Sequence, residues 1–115
     1  MRNNEYQLKK GASGAVIIVT LYDANGVVDL SGYTSVKMTA RKGSATPVLD
    51  HIAMTIDPVP TTGKVSYAFD GTTSNIAVGT YSLEFKATDP MGDVQYFPTN
   101  KQKPYAVLNV LKTLE

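Results

Sequence analysis

Apolar and polar positions alternate with a period of two along much of the chain, which is the spacing of strands and not of helices. Between Ser35 and Arg41, Val36, Met38 and Ala40 fall on one face, and Lys37, Thr39 and Arg41 on the other. Gly79 to Thr88 repeats the pattern over a longer span. Tyr81, Leu83, Phe85 and Ala87 point one way, with Thr80, Ser82, Glu84, Lys86 and Thr88 between them. Lys64 to Phe69 places Val65, Tyr67 and Phe69 together, and Ala106 to Leu111 reads as a closing strand. Pro47 to Ile56 holds another strand, with Val48, Ile52, Met54 and Ile56 as expected core residues. One segment breaks the alternation. Val16 to Tyr22 contains Val16, Ile17, Ile18, Val19 and Leu21, a run that predicts burial on both faces, or a second face covered by something else.

Turn signals separate these segments. Gly11 to Gly14 is a break, and Asp23-Ala24-Asn25-Gly26 is a hairpin turn because Asn and Gly tolerate positive φ, with Val27 to Leu30 returning. Asp57-Pro58-Val59-Pro60 cannot continue a central ladder, since proline donates no amide hydrogen. Asp70 to Ala77 is polar and irregular. Asp89 to Asp93 is a tight turn into a short strand, Val94 to Phe97, followed by a loop from Pro98 to Pro104. Tyr6 to Lys9 forms a short extended piece at the start. Seven to nine short strands with no helical segments between them predict an all-β, antiparallel β-sandwich. Val78-Gly79-Thr80-Tyr81 has the form of a tyrosine corner, in which a Tyr at a strand start bonds to upstream backbone, as in immunoglobulin-like Greek-key sandwiches.

Composition narrows the chemistry. The chain has 115 residues, with 13 threonines supporting the strand bias, and Met1 to Thr113 is expected to form one domain. Leu114-Glu115 is a candidate cloning scar. Eleven basic against ten acidic residues give a formal charge of +1, too little to attract nucleic acid or an anionic membrane. Without Cys there is no thiol chemistry, and with one His there is no His-cluster metal site, so no cofactor is expected. No apolar run is long enough to cross a membrane as a helix, and MRNNEYQLKK contains no apolar segment of a Sec signal.

The remaining candidate chemistry has simpler explanations. Asp23 to Asp29 resembles the start of a calcium loop, but Thr34 stands where the closing Glu is needed. Asp50-His51 is expected to split across a strand, one residue to each face, and no nucleophile accompanies it. Asp57, Asp70, Asp89 and Asp93 lie where Asp accepts local backbone hydrogen bonds. Lys9-Lys10 and Lys101 to Lys103 read as solvated turns. The chain is therefore not expected to be an enzyme.

Five segments, the last three forming one group, carry a family resemblance. Leu8-Lys9-Lys10-Gly11 leads into the apolar strand. Asp23-Ala24-Asn25-Gly26-Val27-Val28-Asp29-Leu30-Ser31-Gly32-Tyr33-Thr34-Ser35-Val36-Lys37-Met38 follows, then Gly63-Lys64-Val65-Ser66-Tyr67, Gly79-Thr80-Tyr81-Ser82-Leu83-Glu84-Phe85 and Gln95-Tyr96-Phe97-Pro98. In order and spacing the chain resembles the N-terminal immunoglobulin-like domain of phage baseplate upper proteins and related prophage tail proteins. It departs from the family's Asp-Leu-Thr-Gly-Ala-Thr-Val by Ser31 and Tyr33, has Phe69 where the family often has Trp, and diverges over Asn75 to Gly79. The resemblance implies a structural module of a virion tail, made in the host cytoplasm and assembling with itself or with other tail or baseplate proteins that carry receptor-binding proteins. It implies no catalytic residues. The competing reading is a carbohydrate-binding or adhesive β-sandwich module of a cell surface, which the seven tyrosines favour. An exposed aromatic row on one sheet would indicate sugar binding, and a flat apolar patch or edge would indicate assembly. The candidate interface is the first strand with its neighbour, namely Tyr6, Leu8, Val16 and Ile18, because Val16 and Ile18 exceed what one core face needs.

Overall fold

The computed structural model describes residues 5–43, 45–97 and 106–112. The expected loop from Pro98 to Pro104, the Lys101 to Lys103 cluster and Leu114-Glu115 lie outside the described residues. The fold is all-β. Its strands are β1 (Glu5–Lys9), β2 (Val16–Thr20), β3 (Tyr22–Asp23), β4 (Gly26–Val27), β5 (Ser35–Arg41), β6 (Leu49–Ile56), β7 (Lys64–Ala68), β8 (Gly79–Thr88), β9 (Val94–Phe97) and β10 (Ala106–Leu111). Short 3-10 turns at Leu30–Gly32 and Pro60–Thr62 complete the described regular structure.

Seven strands form one hydrogen-bonded path, β1-β10-β8-β5-β6-β7-β2. Strand β9 is added to β8, and β3-β4 forms a separate two-stranded hairpin. The path folds over at β6. That strand pairs with β5 from Leu49 to Met54, and with β7 through Thr55 and Ile56. The arrangement is a β-sandwich of two unequal layers, one of β1, β10, β8, β5 and most of β6, the other of the end of β6 with β7 and β2. One pairing departs from the antiparallel expectation: β1 runs parallel to β10, from Glu5 opposite Val107 to Lys9 opposite Leu111.

The central ladder follows the alternation in the sequence. Val36 lies opposite Ala87, Met38 opposite Phe85 and Ala40 opposite Leu83. All six are buried. On the other side of β8, Leu83 faces Ala106 and Tyr81 faces Leu108. This inner row meets Leu8, Ile17, Val19, Leu21, Val65 and Phe69 in one core. Packing of this kind, at about 0.8 kcal/mol per buried methylene, is the main favourable term of folding.

Strand β6 is less regular. The β5–β6 register shifts between Met38 and Ala40, and His51 sits at a φ of 53°. The irregularity turns Thr39, expected outside, into a buried residue whose Oγ1 accepts the His51 backbone N–H at 3.2 Å. It also leaves Val48, expected in the core, exposed, while Leu49 is buried in its place. A bulge adds one residue to one strand of a pair and so exchanges the faces on either side of it.

Two turns tie the ends together. Gly63, at a φ of 69°, follows the Pro60–Thr62 turn, and a Cβ there would stand 2.5 Å from Val27 Cγ1 and 2.8 Å from the Val28 carbonyl. Only glycine fits this approach of the β7 start to the β3–β4 hairpin. Between β7 and β8, the Asp70 carboxylate accepts the Thr72 and Thr73 backbone N–H groups at 2.9 and 2.7 Å. Fully buried Ser74 places its hydroxyl 2.5 Å from the Ala12 carbonyl and 2.8 Å from the Asp70 carbonyl. The Gly11 N–H donates to the Ser74 carbonyl at 3.0 Å and holds this loop against the β1–β2 turn.

Candidate interaction surface

The two ends of the strand path, β1 and β2, are consecutive in sequence and lie on the same open side of the sandwich. Between them runs a cleft of about 250 Å³, floored by Leu8, Ile17, Phe69 and Leu108 and flanked by Tyr6 and Val16. Among the described residues strand β2 pairs with β7 alone.

Its free edge has a definite chemistry. The Phe69 N–H donates to the Ala15 carbonyl at 2.7 Å, and the Leu21 N–H donates to the Gly63 carbonyl at 2.9 Å. In an antiparallel pair, residues that bond to the partner strand alternate with residues that do not. Ala15, Ile17, Val19 and Leu21 therefore bond toward β7, and Val16, Ile18 and Thr20 direct their N–H and C=O groups to the open edge. Side chains alternate with the same period. Ile17 and Val19 are buried, whereas Val16 and Ile18 are 59% and 60% exposed. The same two residues thus present both main-chain hydrogen-bonding groups at the edge and apolar side chains on the outer face. On that face Ile18 lies opposite Ser66 and Val16 opposite Ala68, an uncharged strip.

The four candidate residues divide three ways. Val16 and Ile18 are on the surface, Tyr6 is partly buried at the cleft rim, and Leu8 is a core residue opposite Val110 that reaches only the floor of the cleft. Leu8 falls inward because β1 pairs with β10 in a register that carries it onto the inner row, a pairing between distant segments that local spacing does not reveal. Burial, and secondarily the nearby Tyr22, pushes the Tyr6 hydroxyl up to about 12.

Other sequence candidates stay apart from this surface. Asp50 and His51 do not point to opposite faces. The left-handed backbone at His51 brings Nδ1 to 2.6 Å from Asp50 Oδ1, in an exposed pair on β6. Asp57 and Asp89 accept backbone N–H groups in their own turns, Val59 at 2.8 Å and Met91 at 2.9 Å. Asp29 caps the Leu30–Gly32 turn by accepting from the Ser31 hydroxyl and its N–H, which hold the carboxyl below the usual range. Backbone and side-chain bonds from Thr73 do the same for Asp70. Among the described residues, no three His, Asp or Glu side chains converge as metal ligands would.

The tyrosines are mostly engaged in packing. Tyr81 is buried, and its hydroxyl donates to the Ala77 carbonyl at 2.6 Å, the expected tyrosine corner. Tyr33 meets Phe97 edge-on at 5.7 Å, and Tyr67 meets Phe69 at 5.0 Å. Among the described residues Tyr96 is the one tyrosine or phenylalanine that is exposed. No family model matches the chain, and no curated protein matches it in sequence.

Proposed function

We propose that the chain is a non-catalytic, immunoglobulin-like assembly module of a phage or prophage tail, which contacts other tail or baseplate proteins and supports receptor-binding proteins. The observation that carries the reading is the apolar outer row of Val16 and Ile18 on a strand whose edge groups have no partner strand among the described residues. An open strand edge without charge is a template for pairing, and soluble proteins ordinarily blunt such edges with lysine, proline or a bulge. The order β10-β8-β5 in one layer, β6-β7-β2 in the other, and the Tyr81 corner support the immunoglobulin-like part of the reading. The resemblance over Asp23 to Met38 and Gly79 to Phe85 supplies the tail assignment.

A sugar platform needs several coplanar exposed aromatic rings, and among the described residues a single exposed Tyr96 does not make one. Peptide mass spectrometry on purified particles from the induced source strain tests the proposal. The expected result is this chain co-purifying with tail proteins through density-gradient banding and washing. Its absence from particles in which the major tail proteins are detected would overturn the tail reading, and selective binding on a glycan array would replace it with the adhesive one.

A further inference from the structure

We propose that β2 pairs with β2 of a second copy of this chain, antiparallel across a two-fold axis at Ile18, so that the β7-β2 layers of two molecules become one continuous sheet. The proposal deepens the assembly reading and rests on it only for its biological use.

Three observations select a second copy as the occupant. The first is register. The edge-facing residues are Val16, Ile18 and Thr20, and a two-fold axis at the middle one sets Ile18 against Ile18 of the second copy and Val16 against Thr20 at both ends. Each of these is a hydrogen-bonded pair exchanging two bonds, about six in all, and no edge group within the strand is left over. The second is side-chain chemistry. Every residue of β2 is β-branched, so the cross-strand neighbours are β-branched on both faces, a favourable class of pair. The third is charge. Strand β2 has no charged residue, and the nearest one on the outer face, Lys64 opposite Thr20, is separated from Val16 of the second copy by Thr20 and lies four residues along the strands from its own equivalent. The strand at the other end of the path differs in this respect: β1 carries Glu5 and Lys9.

The cleft beside β2 gives the incoming strand room to approach. An edge-to-edge contact of five residues is smaller than the roughly 1,200–2,000 Å² of a standard stable interface, so the isolated pair is weak and reversible, and repetition within an assembly strengthens it.

Because the chain contains no cysteine, disulfide trapping reads the register directly. Residues in a hydrogen-bonded antiparallel pair have Cα atoms about 5.5 Å apart, inside the range a disulfide spans. The proposed axis puts Ile18 opposite its own copy, while Val16 stands about 14 Å from its equivalent, at ~3.4 Å for each of the intervening residues. The two side chains are equally exposed, so random collision treats them alike. Under mild oxidation the Ile18→Cys variant is expected to give a covalent dimer, and the Val16→Cys variant none by itself. Mixing Val16→Cys with Thr20→Cys is expected to restore the dimer. Ile18→Lys is expected to abolish the concentration-dependent dimer of the unmodified chain in sedimentation equilibrium, while its circular dichroism and melting temperature stay those of the parent. A chain that remains monomeric over the whole concentration range overturns self-pairing and leaves assembly with a different tail protein standing. Equal cross-linking of the Ile18→Cys and Val16→Cys variants, or a dimer that survives Ile18→Lys, also overturns it.

Discussion

Strands β8 and β2 obey the same rule inward and opposite rules outward. In β8, Tyr81, Leu83, Phe85 and Ala87 are buried, and Thr80, Ser82 and Glu84 on the other face are polar and turned to water. In β2, Ile17 and Val19 are buried, and the outer residues Val16 and Ile18 are just as apolar as the inner ones. Among the described residues strand β8 is paired on both sides, by β5 on one and by β10 and β9 on the other, and β2 on one side only. The inner row of a strand reflects the core it must fill. The outer row reflects what the surface meets, and for β8 that is water. An apolar outer row on an unpaired edge is the composition expected where protein replaces water.

The sharpest way to test the comparison is to truncate one inner residue in each strand. Leu83→Ala, in the doubly paired centre, is expected to lose about 2–5 kcal/mol of unfolding free energy in a urea titration, toward the upper part of that range. Ile17→Ala is expected to lose less, because its site borders the cleft and can collapse further. An unchanged denaturation midpoint for Leu83→Ala would contradict its place in the core. At the far end of β2, Gly63→Ala is expected to cost more than about 1 kcal/mol, because alanine resists the positive φ and its Cβ overlaps Val27 and the Val28 carbonyl. A stabilised variant would show that the β3–β4 hairpin does not pack as closely as described.

The rim of the cleft adds a pH dependence. The Tyr6 hydroxyl titrates near 10 in the unfolded chain and at about 12 in the folded one, so the folded state holds the proton more tightly. Its contribution is complete below pH 10 and is lost as pH rises from 10 through 12. Urea midpoints are expected to fall over that window in the parent, and less steeply in Tyr6→Phe. Asp29 and Asp70 have the opposite sign. Their depressed carboxyls contribute above the ordinary Asp value, and that contribution is lost as pH falls through their lower folded values.

Smaller effects separate strain from surface. His51→Gly is expected to shift stability by no more than about 1 kcal/mol, and upward, since glycine takes the left-handed backbone freely and the exposed pair with Asp50 contributes little. A loss larger than that would give the His51–Asp50 pair a structural role. Ile18→Thr, one residue from Ile17, is expected to stay within about 0.5 kcal/mol of the parent, as an exposed position should. A loss comparable to that of Ile17→Ala would erase the distinction between the two faces of β2.

Much of the architecture is legible in the order of the residues. The bounds of β5 and β8, the burial of Leu83 and Phe85, the Asp23 to Gly26 turn and the tyrosine corner at Tyr81 all follow from short-range rules, because alternation and turn chemistry act between residues close in the chain. The same rules say that Val16 to Val19 holds more apolar surface than one face of a core requires. They do not say that Ile17 and Val19 are the buried pair, since a period of two groups residues by face without naming which face is covered. Nor do they reveal the parallel match of β1 with β10, which buries Leu8, the passage of β6 from one layer to the other, or the register shift that buries Thr39, exposes Val48 and closes His51 onto Asp50. Each of these depends on hydrogen bonds between segments separate in sequence, and such bonds are chosen by the packing of the whole chain: the sequence by itself determined which residues share a face, and only the tertiary structure decided which face meets the core and which strand edges stay open.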